Sequence, residues 1–184
     1  MPVSRWRFTV DDYERMAQVG ILQEDDPVEL LEGEVVEMAP IGPLHASCVN
    51  RLTRLLISRL GDLAVVSVQN PVRLGQLSEP QPDLALLRPR DDLYSDRHPV
   101  PDDVLLVVEV SLSTGRIDRL VKMPLYAQWH LPQAWLVDLD AGFVEVYRPS
   151  AEASYGDPER AEGDRRVVID AFPDVLVTAA EILG

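Results

Sequence analysis

The sequence predicts an α/β fold: a mixed sheet flanked by helices, preceded by a short helix and a β-hairpin. Three observations predict it. Apolar residues recur at spacings of three and four between Leu44 and Leu60, the period of an amphipathic helix. Three apolar runs rich in β-branched residues follow directly. A second helical pattern then leads into two more short strand-like runs. The order helix, strand, strand, strand, helix, strand suits a mixed sheet with helices packed on it, and 184 residues are a common size for one domain spanning 1–184.

Each element has its own signal. Thr9 precedes DDYERMAQVG, which reads as an N-cap, an acidic first turn and a glycine stop. In VELLEGEVVEMAP apolar residues flank Glu32 and Gly33, a hairpin with its turn at that pair. Cys48, Val49, Leu52, Leu55, Leu56 and Leu60 form the stripe of the long helix, and Gly61 ends it. AVVSVQNPVRL, DLALLRP and VLLVVEVS are the strands, and the last is almost continuously apolar, as a strand buried on both faces should be. From Thr114 to about Trp129 the pattern is helical again, with Ile117, Leu120, Val121 and Leu125 as its stripe and Pro124 as an irregularity. AWLVDL and FVEVYR make a hairpin around Asp140, Ala141 and Gly142. Ser150 to Arg166 reads as mostly loop, and VVIDAFPDVLVTAAEIL as a last strand and a short helix.

Composition narrows the function classes. The chain is 46% apolar, enough for a core, and no run approaches a bilayer span. The first ten residues lack the apolar segment of a secretory signal. With the single Cys48 they predict a cytoplasmic protein without membrane contact. The charge balance is acidic, 31 Asp and Glu against 17 Lys and Arg, formally −14. That argues against a free-standing, high-affinity DNA binder, which needs basic residues to neutralise phosphates. It is compatible with a metal enzyme, because carboxylates are what hard cations bind. Of those 17 basic residues one is a lysine, Lys122, and the rest are arginines. Either one lysine survived by chance, or position 122 needs a compact ammonium beside a water or phosphate oxygen.

The chemistry centres on two carboxylates. Asp83 begins one predicted strand, and Glu109 lies near the end of another inside an apolar run. Such a carboxylate is costly to bury unless it is paired or bound to a cation. Carboxylates on neighbouring strands, completed by a strand carbonyl, can hold one divalent ion, and this suits metal-assisted phosphodiester hydrolysis. With the strand ending near Ser111, Glu109 lies roughly 7 Å back from its end. With the helix starting near Gly115, Lys122 lies about 10 Å along it, so a helix folding back over the sheet brings the two to one level. Asp118, Lys122 and Tyr126 form a row at spacing four beside the apolar stripe. On the residues alone that row reads first as a surface ion pair between Asp118 and Lys122 with a half-buried tyrosine.

VELLEGEVVEMAP, His45 opening a helix, QNPVRL, EPQPDLALLRP, VVEVSLST, DRLVKMPLYA and AWLVD follow one another in that order. In this ordered set the chain resembles the Uma family of putative restriction endonucleases, of the PD-(D/E)xK nuclease superfamily, nearly end to end. The resemblance implies a restriction-endonuclease-like core acting on nucleic acid, DNA above RNA, with Mg2+ or Mn2+ as cofactor. It implies Asp83 and Glu109 as metal ligands, with the backbone carbonyl of Val110 as a third. The superfamily's usual lysine position, two residues after the second acid, is Ser111 here. The Uma pattern takes its lysine from the following helix, and Lys122 matches that place, where it would position the attacking water or stabilise the phosphorus. Gln69, on the strand before Asp83, would line the site. Glu29 would reach the metal through water or remain a solvated carboxylate. His45 would contact phosphate, hydrogen-bond Glu29, or be satisfied by backbone. VSLST and WHLPQAW depart from the family pattern at the site's surroundings.

Two rival readings stand beside a nuclease: a nuclease-like interaction protein without useful activity, and a subunit that takes its DNA affinity from a partner. Edge strands and hairpin would suit a homodimer. Trp129 and Trp135 read as packing, Trp6 as an exposed contact, Cys48 as inert core, and Arg88, Arg90 and Arg97 as a phosphate-facing patch near the site.

Overall fold

The computed structural model describes residues 5–23, 25–112, 118–150 and 154–184. The elements are α1 (Val10–Gln18), β1 (Val28–Leu31), β2 (Glu34–Glu37), α2 (Pro43–Leu60), β3 (Val65–Val68), β4 (Leu84–Leu87), β5 (Val104–Ser111), α3 (Met123–Gln128), β6 (Ala134–Asp138), β7 (Phe143–Tyr147), β8 (Glu159–Ala161) and α4 (Ala179–Leu183). Strands β3 to β8 lie in sequence order in one six-stranded sheet, and β1 and β2 form a separate pair. Only β5 and β6 run parallel; the other neighbouring pairs are antiparallel. This is the mixed α/β architecture expected.

Local chemistry explains the N-terminal elements. Thr9 and Asp12 cap α1 reciprocally, each side chain accepting from the other's backbone N–H, a capping box. The hairpin turns on Glu32 and Gly33, both at positive φ (48° and 82°), the two-residue geometry that matches strand twist. A Cβ at Gly33 would lie 2.6 Å from Cβ of Arg7, so the chain that leads into α1 passes directly over the turn. Tyr13 donates its hydroxyl to the Val28 carbonyl at 3.0 Å, and Glu79 donates its N–H to the Leu30 carbonyl at 2.8 Å. These bonds moor the hairpin to α1 and to the loop before β4.

The sheet is covered on both faces. On one face Cys48, Leu52, Leu56 and Leu60 of α2 pack on Leu84, Leu86, Leu106, Val108 and Trp135, with Ile182 of α4 beside them. On the other, Met123, Leu125 and Tyr126 of α3 cover Ala85, Val107 and Leu136, with Leu31, Val72 and Leu74 at the margin. Alternate residues of β4 and β5 thus serve opposite cores. Position 109 shares the α3 face with Val107. Gly75 (φ 67°) lies under Trp129 at that margin, where a Cβ would run into the indole ring. Gly75→Ala is expected to cost about 1–3 kcal/mol through overpacking and backbone strain, read as a lowered midpoint in chemical denaturation.

Several expectations are corrected. Strand β3 ends at Val68, because Gln69 takes a positive φ of 50°; Gln69 therefore follows the strand and does not lie on it. Strand β8 forms inside the stretch read as loop. The last expected strand is reduced to a single bridge between Arg166 and Thr178. The start of the second helix, with Ile117 and Gly115, lies outside the described residues. Its described part begins with a π-helical turn, Asp118–Lys122, and Pro124 falls in the first turn of α3, where its missing N–H costs least. The wider π turn shifts the helical phase. Leu120 points to solvent at 63% exposure, whereas Asp118 and Lys122, expected beside the buried stripe, are themselves buried. Among the described residues no helix is long and apolar enough to cross a membrane.

Candidate active site

The β4–β5 ladder sets the first two groups. Leu84 pairs with Val108 as its last rung, and one further antiparallel step places Asp83 opposite Glu109, on the α3 face. The next step places Pro82 opposite Val110. Val107 donates to Gln133 on the β6 side, so by alternation the N–H and C=O of Val110 face the β4 side. Proline has no N–H to give a facing carbonyl, so the Val110 C=O has no donor at that rung. The Val110 N–H is taken by Asp83 Oδ2 at 2.8 Å. The proline before the aspartate thus opens the ladder where the carboxylates emerge.

The ammonium comes from the helix. Lys122 Nζ lies 3.3 Å from Glu109 Oε1 and 3.1 Å from Glu29 Oε2. Glu29 Oε2 also accepts the Gln81 N–H at 3.0 Å, and Gln81 Nε2 donates to the Gln69 carbonyl at 2.8 Å. Tyr126, one turn after Lys122, donates its hydroxyl to Glu109 Oε1 at 2.5 Å. Asp83 Oδ1 meets His45 Nε2 at 2.8 Å and accepts from Gln69 Nε2 at 3.4 Å. His45 enters from the first turn of α2. The π turn places both Asp118 and Lys122 inward, so one helical segment supplies a carboxyl and an ammonium to the cavity, and a buried phenol to Glu109.

Charge in this cavity is unbalanced. Glu29, Asp83, Glu109 and Asp118 surround Lys122, with His45 at the edge. Burial holds the Glu109 carboxyl well above its usual range, and the charges of Asp118, Asp83 and Glu29 push it further, against the pull of Lys122. Burial raises Asp118 to about 6. Burial alone would lower Lys122, but Glu109, Glu29 and Asp118 outweigh it and hold the ammonium above its ordinary value. The bond to Asp83 raises His45. Tyr126, buried and facing Glu109, is pushed far up and stays a phenol.

A cleft of about 940 Å³ opens over these groups. Among the described residues no three or more His, Cys, Asp or Glu side chains gather into a ready metal cage. The donors are instead oxygens: Asp83, Glu109 and the free rung of Val110. Two carboxylates and a carbonyl suit Mg2+, which keeps several waters and takes substrate phosphate as further ligands. The surplus of carboxylates over ammonium fits a cation as well.

The structure brings Asp83, Glu109, Lys122, Glu29, His45, Gln69 and Tyr126 together. Three details differ from expectation. Lys122 pairs with Glu109 and Glu29 and makes no surface ion pair with Asp118. Tyr126 is fully buried. His45 bonds Asp83 and not Glu29. Arg88, Arg90 and Arg97 do not flank the site: Arg88 is at the far end of β4, about 16 Å along the strand from Asp83, and Arg90 and Arg97 are held by Asp92, Asp96 and Asp103. Sequence reasoning gave no role to Gln81 and undervalued Asp118. The spacing of Asp118, Lys122 and Tyr126 was the available signal, masked by assuming a regular α-helix.

The fold is that of a nuclease-like protein. It matches the crystal structure of a putative nuclease belonging to DUF820 from Anabaena variabilis, with a TM-score of 0.74 over 96% of this chain and 97% of that one, at 16% identity. Residues 10–181 match the model of the Uma2 family, described as "Putative restriction endonuclease", and the chain belongs to that family. No curated protein matches it.

Proposed function

We propose that the chain is a divalent-metal-dependent endonuclease that hydrolyses phosphodiester bonds of nucleic acid, DNA above RNA. One observation carries the reading: two strand carboxylates and the only lysine of the chain share one cleft, with the ammonium 3.3 Å from Glu109. Asp83, Glu109 and the Val110 carbonyl would hold Mg2+ or Mn2+, which supplies a polarised phosphoryl oxygen and a water of lowered pKa. Lys122 orients the attacking water and offsets the charge that builds on the phosphate. Glu29, fixed by the Gln81 N–H, aims the ammonium, so its role is to position Lys122. Tyr126 fixes one oxygen of Glu109, and His45 with Gln69 fixes Asp83. As a cytoplasmic homodimer the protein would present two such sites.

The test is calorimetry with Mn2+ alongside cleavage of plasmid and oligonucleotide substrates. Wild type should bind the ion and cut. Asp83→Asn should lose both, at least about 10²-fold in rate, while its thermal midpoint stays close to wild type. Wild-type protein that cuts no nucleic acid with any divalent ion would overturn the proposal. The net charge of −14 favours a second reading, an interaction protein on a nuclease scaffold, which predicts no Mn2+ binding. A subunit dependent on a basic partner predicts binding without cleavage until that partner is added.

A further inference from the structure

The cleft has two unlike walls. One carries the recessed reacting groups: side-chain exposure is 13% for Asp83, 7% for Lys122 and 4% for Glu109. The other is largely apolar, built by Pro27, Val36, Met38 and Ile41 from the hairpin and the chain on either side of it, with Glu37 among them. Ile41 is 55% exposed, so this wall is open to a ligand. Among the described lining residues, Lys122 and His45 are the only cationic side chains, against five carboxylates counting Glu37.

A duplex suits this poorly. It carries a charge every 1.7 Å or so and is held by basic residues on many phosphates. It is also stiff, with a persistence length of about 50 nm, so it does not bend into a concave site without distortion. A single strand carries about half that linear charge, bends freely and exposes base faces that pack on apolar side chains. The volume of about 940 Å³ is at the upper end for pockets that enclose one small ligand, about 300–1,000 Å³, and so takes a short stretch of strand.

Resting on the nuclease reading above, we infer that the substrate is single-stranded nucleic acid, a loop, overhang or melted segment, with one phosphate on the Asp83–Glu109–Lys122 floor and an unstacked base against Met38 and Ile41. Few phosphates are then neutralised, so affinity depends weakly on salt, with a log–log slope no steeper than about −1.5 for two contacts at about −0.7 each.

The experiment compares one end-labelled oligonucleotide, alone and annealed to its complement, with wild type and Mn2+ across a salt series. The single strand should be cut at least about tenfold faster, with the shallow slope, and Met38→Asp and Ile41→Asp should each raise KM for it by about tenfold. Equal or faster cutting of the duplex overturns the single-strand inference and leaves the nuclease reading standing. So does an unchanged KM in both variants, or a steep slope. Cutting of neither form overturns both.

Discussion

Lys122→Ala should abolish cleavage and destabilise the protein at once. The rate is expected to fall by about 10²–10³-fold or more, the cost of losing a donor aimed at developing charge. The stability loss arises because Lys122 is the buried partner of both Glu29 and Glu109, at 3.1 and 3.3 Å. Removing one member of a buried ion pair strands the other, at about 3–5 kcal/mol. Lys122→Met restores the stem's packing and separates the effects: chemical denaturation should show part of the stability recovered, while cleavage remains lost. A Lys122→Met enzyme cutting at near wild-type rate would remove the ammonium from the mechanism.

Asp118→Asn should stabilise the metal-free protein at neutral pH. Asp118 is raised from 3.8 to about 6, chiefly by burial. A carboxyl whose folded pKa lies above its unfolded value supports the fold below the unfolded value and loses that support as pH rises through the folded one. The window is therefore about pH 4 to 6, and stability falls as pH rises. Two units correspond to about 3 kcal/mol. Asparagine keeps the shape without the titration, so the variant and wild type should match near pH 4 and diverge by pH 7. Added Mg2+ should narrow the gap. Denaturant midpoints across that range, with and without the ion, measure it, and a gap that does not vary with pH would show that Asp118 does not titrate there.

The fold was legible wherever local chemistry and periodicity agreed. The Thr9 cap, the Glu32–Gly33 turn, the α2 stripe and the buried β5 all declare themselves in a few residues. Asp83 and Glu109 were legible because acids in apolar strands are costly to bury. The convergence of Lys122 rested on counting lysines and on family likeness more than on geometry. What escaped was phase. A π turn cannot be read from spacing, so Asp118 and Tyr126 seemed peripheral and Leu120 seemed core. Gln69 was misplaced because a positive φ at a glutamine has no compositional sign. The role of Gln81 depends on its backbone N–H, which every residue except proline carries. The arginine patch failed for a different reason: Arg90 and Arg97 are neutralised by aspartates close in sequence, and Arg88 sits at the wrong end of its strand.

The ammonium beside Glu109 arrives thirteen residues later in the chain, and the nearer site on the strand is occupied by Ser111, 2% exposed. A search keyed to acid and base at fixed chain separation passes over such a protein, whereas a spatial template of two carboxylates and one nitrogen retrieves it. Because the nitrogen belongs to the helix, the chain between Glu109 and Lys122 can change in length without changing the order of these groups along either element. The separation of acid and base along the chain can then drift while their meeting in space is kept.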